Sequence, residues 1–229
     1  MPVIEMSIFV PKLALLPPPQ RQLWPELDAT PRQFTLYGGT ALALRLGHRE
    51  SVDFDFFSRQ PFEPNQLAET IPYLRGAERV QIAPNTLTCR VERNGPVLVS
   101  FFGGLNLGQV APPDQAAATT LFVASLLDLA GTKVAVVQQR AENKDYLDID
   151  ALLQNGVTLP TALAAGQIVY GSRFNPVITL KALSYFDDLP TLPAAVKARL
   201  SAAAARVDLN QLPVLSPCPS RHPHHGSQS

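Results

Sequence analysis

The sequence predicts an α/β fold in which a mixed β-sheet core is flanked by helices and followed by a C-terminal helical domain. Three observations carry this. Residues 34–46 pass from a short β-type run to a helical one through Gly38 and Gly39. Residues 51–57 alternate with a period of two, the spacing of a strand. Beyond Pro112 and Pro113, apolar side chains recur at helical spacing in five successive stretches.

A chain of 229 residues with 46% apolar content can bury a sizeable core. The expected division is an N-terminal segment (1–31), a sheet core (32–118), a helical domain (119–210) and a disordered tail (211–229), the tail being rich in proline, serine and histidine. Nineteen basic and 19 acidic side chains give a formal charge of zero, which excludes a general electrostatic grip on nucleic acid and leaves only a local patch. No run of 18 apolar residues is present, so neither a membrane span nor a membrane partner is expected; with no signal peptide in view, the expected location is cytoplasmic. Two cysteines, Cys89 and Cys218, give neither a disulfide framework nor a four-ligand zinc site.

In chain order, Pro17, Pro18 and Pro19 precede an amphipathic patch at Leu23, Trp24 and Leu27, enough for one short helix. Strand 34–37 meets the Gly-Gly turn, and helix 41–46 sets Leu42, Ala43 and Leu46 on one face. In strand 51–57 the period of two puts Asp53 and Asp55 on one face and Phe54 and Phe56 on the other. A helix over 64–73 precedes three strands (80–83, 86–92 and 97–102), separated by Pro84-Asn85 and Asn94-Gly95-Pro96 turns. Helices are then predicted over 121–139, 143–154, 161–170, 175–186 and 192–207, with Ser125 and Asp128 as a capping pair within the first.

Nucleotidyl transfer needs a way to neutralise a triphosphate, and divalent cations held by carboxylates are the usual means. Asp53 and Asp55, about 7 Å apart along a strand, are placed to hold such an ion. A glycine turn feeding a helix N-terminus offers bare N–H groups to phosphate oxygens, and Gly38, Gly39 and Thr40 fit that role. Separately these signals are weak, since Asp-x-Asp and Gly-Gly are common. Strand, Gly-Gly-Thr, helix, then a strand bearing Asp-x-Asp is the layout of the nucleotidyltransferase fold.

The stretch LYGGTALALRLGHRESVDFDFFS resembles the AbiEii/AbiGii family of nucleotidyltransferase toxins, and SLLDLAGTKVAVVQQRAENKDYLDIDALL looks like that family's second block. The resemblance implies that Gly39 and Thr40 bind nucleotide phosphates, that Asp53 and Asp55 hold magnesium, and that Lys133, Arg140, Lys144 and Asp145 complete the site. It further implies a nucleoside triphosphate substrate, an acceptor such as tRNA or another RNA, and a cognate antitoxin. Lys133 and Arg140, seven apart, share a helix face, which agrees with a joint role. The bland alternative makes them the solvated edge of a helix whose buried stripe is Ala130, Val134 and Val137, and makes Lys144 and Asp145 first-turn residues. His48 and Arg49 are open between pairing with the acidic strand and contacting phosphate. One departure stands out: the strand expected to carry a third carboxylate, PVLVSFFGG, has Ser100. The general base is therefore unassigned, with Asp145 and Asp148 as substitutes. The rival readings are a nucleotide-binding protein of this fold with little turnover and an aminoglycoside-type small-molecule nucleotidyltransferase.

Overall fold

A computed structural model describes residues 7–218. Its regular elements begin with β1 (Ile8–Phe9), α1 (Pro18–Leu23), β2 (Thr35–Tyr37), α2 (Gly38–Leu46), β3 (Phe54–Phe57) and α3 (Pro64–Thr70). The strands β4 (Glu78–Ala83), β5 (Thr86–Glu92), β6 (Pro96–Phe102), β7 (Asp114–Ala116) and β8 (Phe122–Val123) follow. The chain continues as α4 (Leu126–Val136), α5 (Asn143–Gln154), α6 (Leu159–Tyr170), α7 (Pro176–Ala182) and α8 (Ala194–Ala205). The eight strands among the described residues join one sheet in the order β1-β7-β8-β2-β3-β6-β5-β4. It is mixed, as expected: β3 pairs antiparallel with β2 and parallel with β6, while β4, β5 and β6 form the predicted antiparallel meander.

The period of two in β3 does what period two dictates. Phe54 and Phe56 are fully buried, and Phe56 stacks on Phe101 with centroids 5.1 Å apart. Asp55, between them, lies on the opposite face beside Tyr37 of β2 and Ser100 of β6. The strand begins at Phe54, so Asp53 sits at the end of the preceding loop rather than inside the strand. Buried Gln20 donates to the Val52 carbonyl at 2.8 Å, and the Thr40 hydroxyl donates to the Asp53 carbonyl. Two side chains from separate helices thus fix the loop that presents Asp53.

Tyr37 ends β2 and Gly38 starts α2 with no residue between. Gly38 has φ +73°, a backbone state costly for residues with a Cβ, and that turn aims the helix back across the sheet. The helix ends at Gly47 in the left-handed conformation, the usual glycine stop. Arg45 near that end donates to the Ala124 carbonyl at 2.9 Å and pairs with Asp114 at 2.6 Å, tying α2 to the strands at the sheet's far side.

The helices beyond the sheet pack on α2 and on one another: α4 contacts α2, α5 and α6, while α8 packs on α5. A single apolar cluster runs from Leu16 through the sheet to Ala204, so sheet and helices share one continuous core. Two expectations need correction. Residues 121–125 are not helical: Phe122–Val123 forms β8 beside β2 and β7, and the helix starts only after Ser125, whose side chain accepts from the Asp128 N–H as its cap. The helix predicted over 64–73 stops at Thr70, and Pro72–Leu74 forms a separate 3-10 turn, since proline at that point removes a donor. Between 212 and 218 the chain has neither helix nor strand, yet the Cys218 N–H donates to the Gln109 carbonyl at 2.7 Å. The tail histidines His222, His224 and His225 lie outside the described residues.

Candidate active site

The site is assembled where β2 turns into α2. The Asp55 carboxylate occupies the space a side chain at Gly38 would fill: a Cβ there would fall 2.5 Å from Asp55 Oδ2. Glycine is thus required twice, for its dihedral and for the room it leaves. Asp53 lies alongside, partly exposed like Asp55. Burial, reinforced by the charge of Asp53, pushes the Asp55 carboxyl up to about 6, against the pull of Lys133, Lys144 and Arg140. Asp53 is likewise raised by burial and opposed by Lys144. Two neighbouring carboxylates raised by burial, with hard oxygen donors and partial exposure, fit a divalent cation, which relieves the cost of holding them charged.

Three of the cations expected at the nucleotide act on Asp55, but they differ in accessibility. Lys133 is buried, its side chain only 8% exposed; its Nζ lies 3.1 Å from Asp145 Oδ1 and 2.6 Å from Asp148 Oδ2. It is not the solvated edge of a helix, although the stripe Ala130, Val134 and Val137 is buried as that alternative requires. Arg140 lies beyond the end of α4, so a shared helix face does not explain its position; Asp145 does, accepting from Arg140 Nε at 2.8 Å while it also holds Lys133. Arg140 and Lys144 keep side chains 44% and 51% exposed, and the ion-pair partner of Lys144 among the described residues, Glu142 at 2.8 Å, is itself at the surface. These two remain able to meet an anion.

Asp145 and Asp148, three apart on α5, share one helix face and are both fully buried. Asp148 accepts from His48 Nε2 at 2.6 Å and from Arg49 through Nε at 2.6 Å and Nη2 at 2.9 Å, besides its bond to Lys133. Despite burial, the hydrogen bonds from His48 and Arg49 and the charges of Lys133 and Arg49 hold its carboxyl far below the usual range. Neither acid is free to take a proton from an acceptor without breaking ion pairs inside the core. His48 and Arg49 therefore pair with α5, not with the acidic strand. Arg49 also comes close to α2: a Cβ at Gly39 would fall 2.6 Å from its Nη2 and 3.0 Å from Ser51 Oγ. Thr40 is buried with its hydroxyl spent on the Asp53 carbonyl, which makes it a support for the Asp53 loop. The expectation that this hydroxyl meets phosphate does not match that geometry. Sequence reasoning missed Arg49 as a neighbour of the glycine turn. The sole local signal for the cluster behind it was the Asp145/Asp148 spacing.

Across the sheet, Asp55 continues a row of side chains on the same face: Tyr37 on one side, then Ser100, Thr88 and Gln81 on the other. Thr88 Oγ1 donates to Ser100 Oγ at 3.1 Å, and both are buried. Next to this row Phe57 stacks on Tyr37 at 4.8 Å and meets Phe102 edge-on at 5.6 Å, an aromatic ledge beside the carboxylates.

Comparison with known proteins bears on the family and the fold. The sequence profile of the family described as "Nucleotidyl transferase AbiEii toxin, Type IV TA system" matches residues 26–215. An uncharacterized protein of Aquifex aeolicus, aq_aa25, is 30% identical over 158 residues, spanning 68% of this chain and 74% of its own. Among solved structures, MenT4, the nucleotidyltransferase toxin Rv2826c of Mycobacterium tuberculosis, superposes with a TM-score of 0.57 at 19% identity, covering 83% of each chain. A proposed nucleotidyltransferase from H. pylori gives 0.50 at 14% identity over 81% of this chain and 90% of its own. The two structural likenesses establish the fold.

Proposed function

The chain belongs to the AbiEii family of nucleotidyl transferase toxins, and on that premise we propose that it uses magnesium to move a nucleoside monophosphate from a nucleoside triphosphate to an RNA acceptor. One observation carries the proposal: Asp55 lies against Gly38 and Asp53 against Thr40 at the start of α2, while exposed Lys144 acts electrostatically on both carboxylates and exposed Arg140 on Asp55. Asp53 and Asp55 would hold the cation, which supplies positive charge to the triphosphate and polarises its α-phosphorus. Lys144 and Arg140 neutralise the charge that grows on departing pyrophosphate. Asp145 and Asp148 act behind them, fixing Arg140, Lys133 and Arg49 by buried ion pairs so that the cationic wall is preorganised.

Gly38 and Gly39 admit Asp55 and Arg49 to the start of α2, where the helix N-terminus adds partial positive charge for phosphate oxygens. The aromatic ledge of Phe57 and Phe102 gives an acceptor base a surface to stack on. A cognate antitoxin and a cytoplasmic setting belong to the same reading; no helix among the described residues is long and apolar enough to cross a membrane. The test is incubation of the purified chain with magnesium, each labelled nucleoside triphosphate in turn and total bacterial RNA. Label transferred to RNA and abolished by EDTA supports the proposal. Nucleotide binding without transfer to RNA removes the RNA acceptor from it.

A further inference from the structure

We propose that this site takes a single divalent cation, and takes it as part of a cation–triphosphate complex rather than before the nucleotide, because Ser100 stands where a second ion would need a third carboxylate. The inference rests on the nucleotidyl-transfer reading above and adds to it the form in which the substrate binds.

Two-ion phosphoryl-transfer sites place their ions roughly 3.5–4 Å apart, one carboxylate shared between them and further carboxylates for the second ion. A strand row next to the shared acid is the natural source of that further ligand. Here the row beside Asp55 reads Ser100, Thr88, Gln81, with no acid in it. The two hydroxyls are buried and bonded to each other, and a neutral hydroxyl is a poor substitute for a carboxylate on a hard cation. The nearby acids of α5 do not fill the gap, since Asp145 and Asp148 are fully buried and engaged by Lys133, Arg140, His48 and Arg49. Among the described residues no group of three or more histidine, cysteine, aspartate or glutamate side chains is placed to hold a metal ion.

Two carboxylates leave most of an octahedral shell, about six oxygens, to water and ligand. The surroundings then decide the order of arrival. Lys133, Lys144 and Arg140 all act on Asp55, and Lys144 acts on Asp53. Arg140 and Lys144, whose side chains are exposed beside these carboxylates, attract a magnesium-bound triphosphate, whose net charge is negative, while a bare divalent ion gains nothing from them. Triphosphate oxygens also supply the coordination the protein lacks. Cation and nucleotide must therefore bind synergistically.

Manganese(II) titration of the full chain, followed by the paramagnetic resonance signal of the free ion, tests this directly. It is run with and without the α,β-methylene analogues of the four ribonucleoside triphosphates, with protein-free blanks for each analogue. The expected result is weak binding by the protein alone and one equivalent in the ternary complex, tighter by about tenfold or more. Two equivalents in the ternary complex, or equal affinity with and without a bound analogue, overturns the inference and leaves nucleotidyl transfer standing. Failure of every analogue to bind, measured by equilibrium dialysis, overturns both. Ser100→Asp restores the missing carboxylate beside Asp55 and is expected to bind a second equivalent; a folded variant that still takes one rules out Ser100 as the determinant and overturns the inference.

Discussion

Replacing Asp55 with asparagine should make the metal-free protein more stable, and by an amount that depends on pH. Burial beside Gly38, together with the charge of Asp53, raises the Asp55 carboxyl to about 6. Its unfolded value is near 4, so the gap is about two pH units, worth about 1.4 kcal/mol each. Because the folded-state value is the higher one, the folded chain keeps the proton between about pH 4 and pH 6 while the unfolded chain has lost it. Stability therefore falls as pH rises through that window, and the full penalty of about 3 kcal/mol persists above it. An amide of the same shape removes the penalty. In EDTA at pH 8, Asp55→Asn should exceed wild type by about 2–3 kcal/mol, or roughly 4–10 °C in melting temperature for a chain of this size. At pH 4 the two should melt together. Thermal melts followed by far-ultraviolet circular dichroism at both pH values decide it. A variant that melts at or below wild type at pH 8 refutes the claim that Asp55 is held charged against its environment to receive a cation.

The buried cation Lys133 predicts the reverse. Lys133→Met leaves Asp145 and Asp148 short of a shared partner in the core and should cost about 3–5 kcal/mol, read as a lower urea midpoint. Lys144→Ala should leave the melting temperature within a degree or two and weaken triphosphate binding about tenfold, whereas Lys197→Ala on α8 should change neither, as calorimetric titration will show. Gly38→Ala forces a Cβ within 2.5 Å of Asp55 Oδ2 from a left-handed backbone, so it should destabilise by at least about 1 kcal/mol and sharply reduce label transfer; an active, stable variant would show that the turn relaxes freely.

Much of the fold could be read from local pattern because local pattern set it. The meander β4 to β6 has long alternating strands bounded by turn residues, and Asn85 and Asn94 both take the positive φ that such turns need. Helix α5 runs over Asn143–Gln154, as its periodicity predicts. What escaped was short or distant. Strands β1, β7 and β8 have two or three residues each, too few for a period to show, and the apolar Phe122–Val123 reads as the start of the helix that follows. β7 and β8 pair locally, but their place in the sheet depends on β1 and β2, partners far along the chain that no short window of sequence contains.

The same division runs through the site. The nearness of Gly38, Asp53 and Asp55 could be expected because their spacing falls within one short run, a strand, a turn, a helix and the next strand. The roles of Lys133, Arg140, Asp145 and Asp148 could not, because each is fixed by its partner rather than by its neighbours in sequence. Arg49 and Asp148 lie 99 positions apart, and His48 and Asp148 100 apart, yet their contacts decide that Asp148 anchors the helices instead of serving as a base. A carboxylate in a motif has two uses in this protein, and burial separates them. Partly open Asp53 and Asp55 are raised by burial and, among the described residues, are held in no ion pair, the condition of groups awaiting a ligand. Fully buried Asp145 and Asp148 are saturated by cations of the chain itself, the condition of groups whose ligand is the protein. Sequence presents four aspartates alike; on the proposed reading, charge balance and burial leave two for the cation and two for the scaffold that holds Arg140 and Arg49 in place.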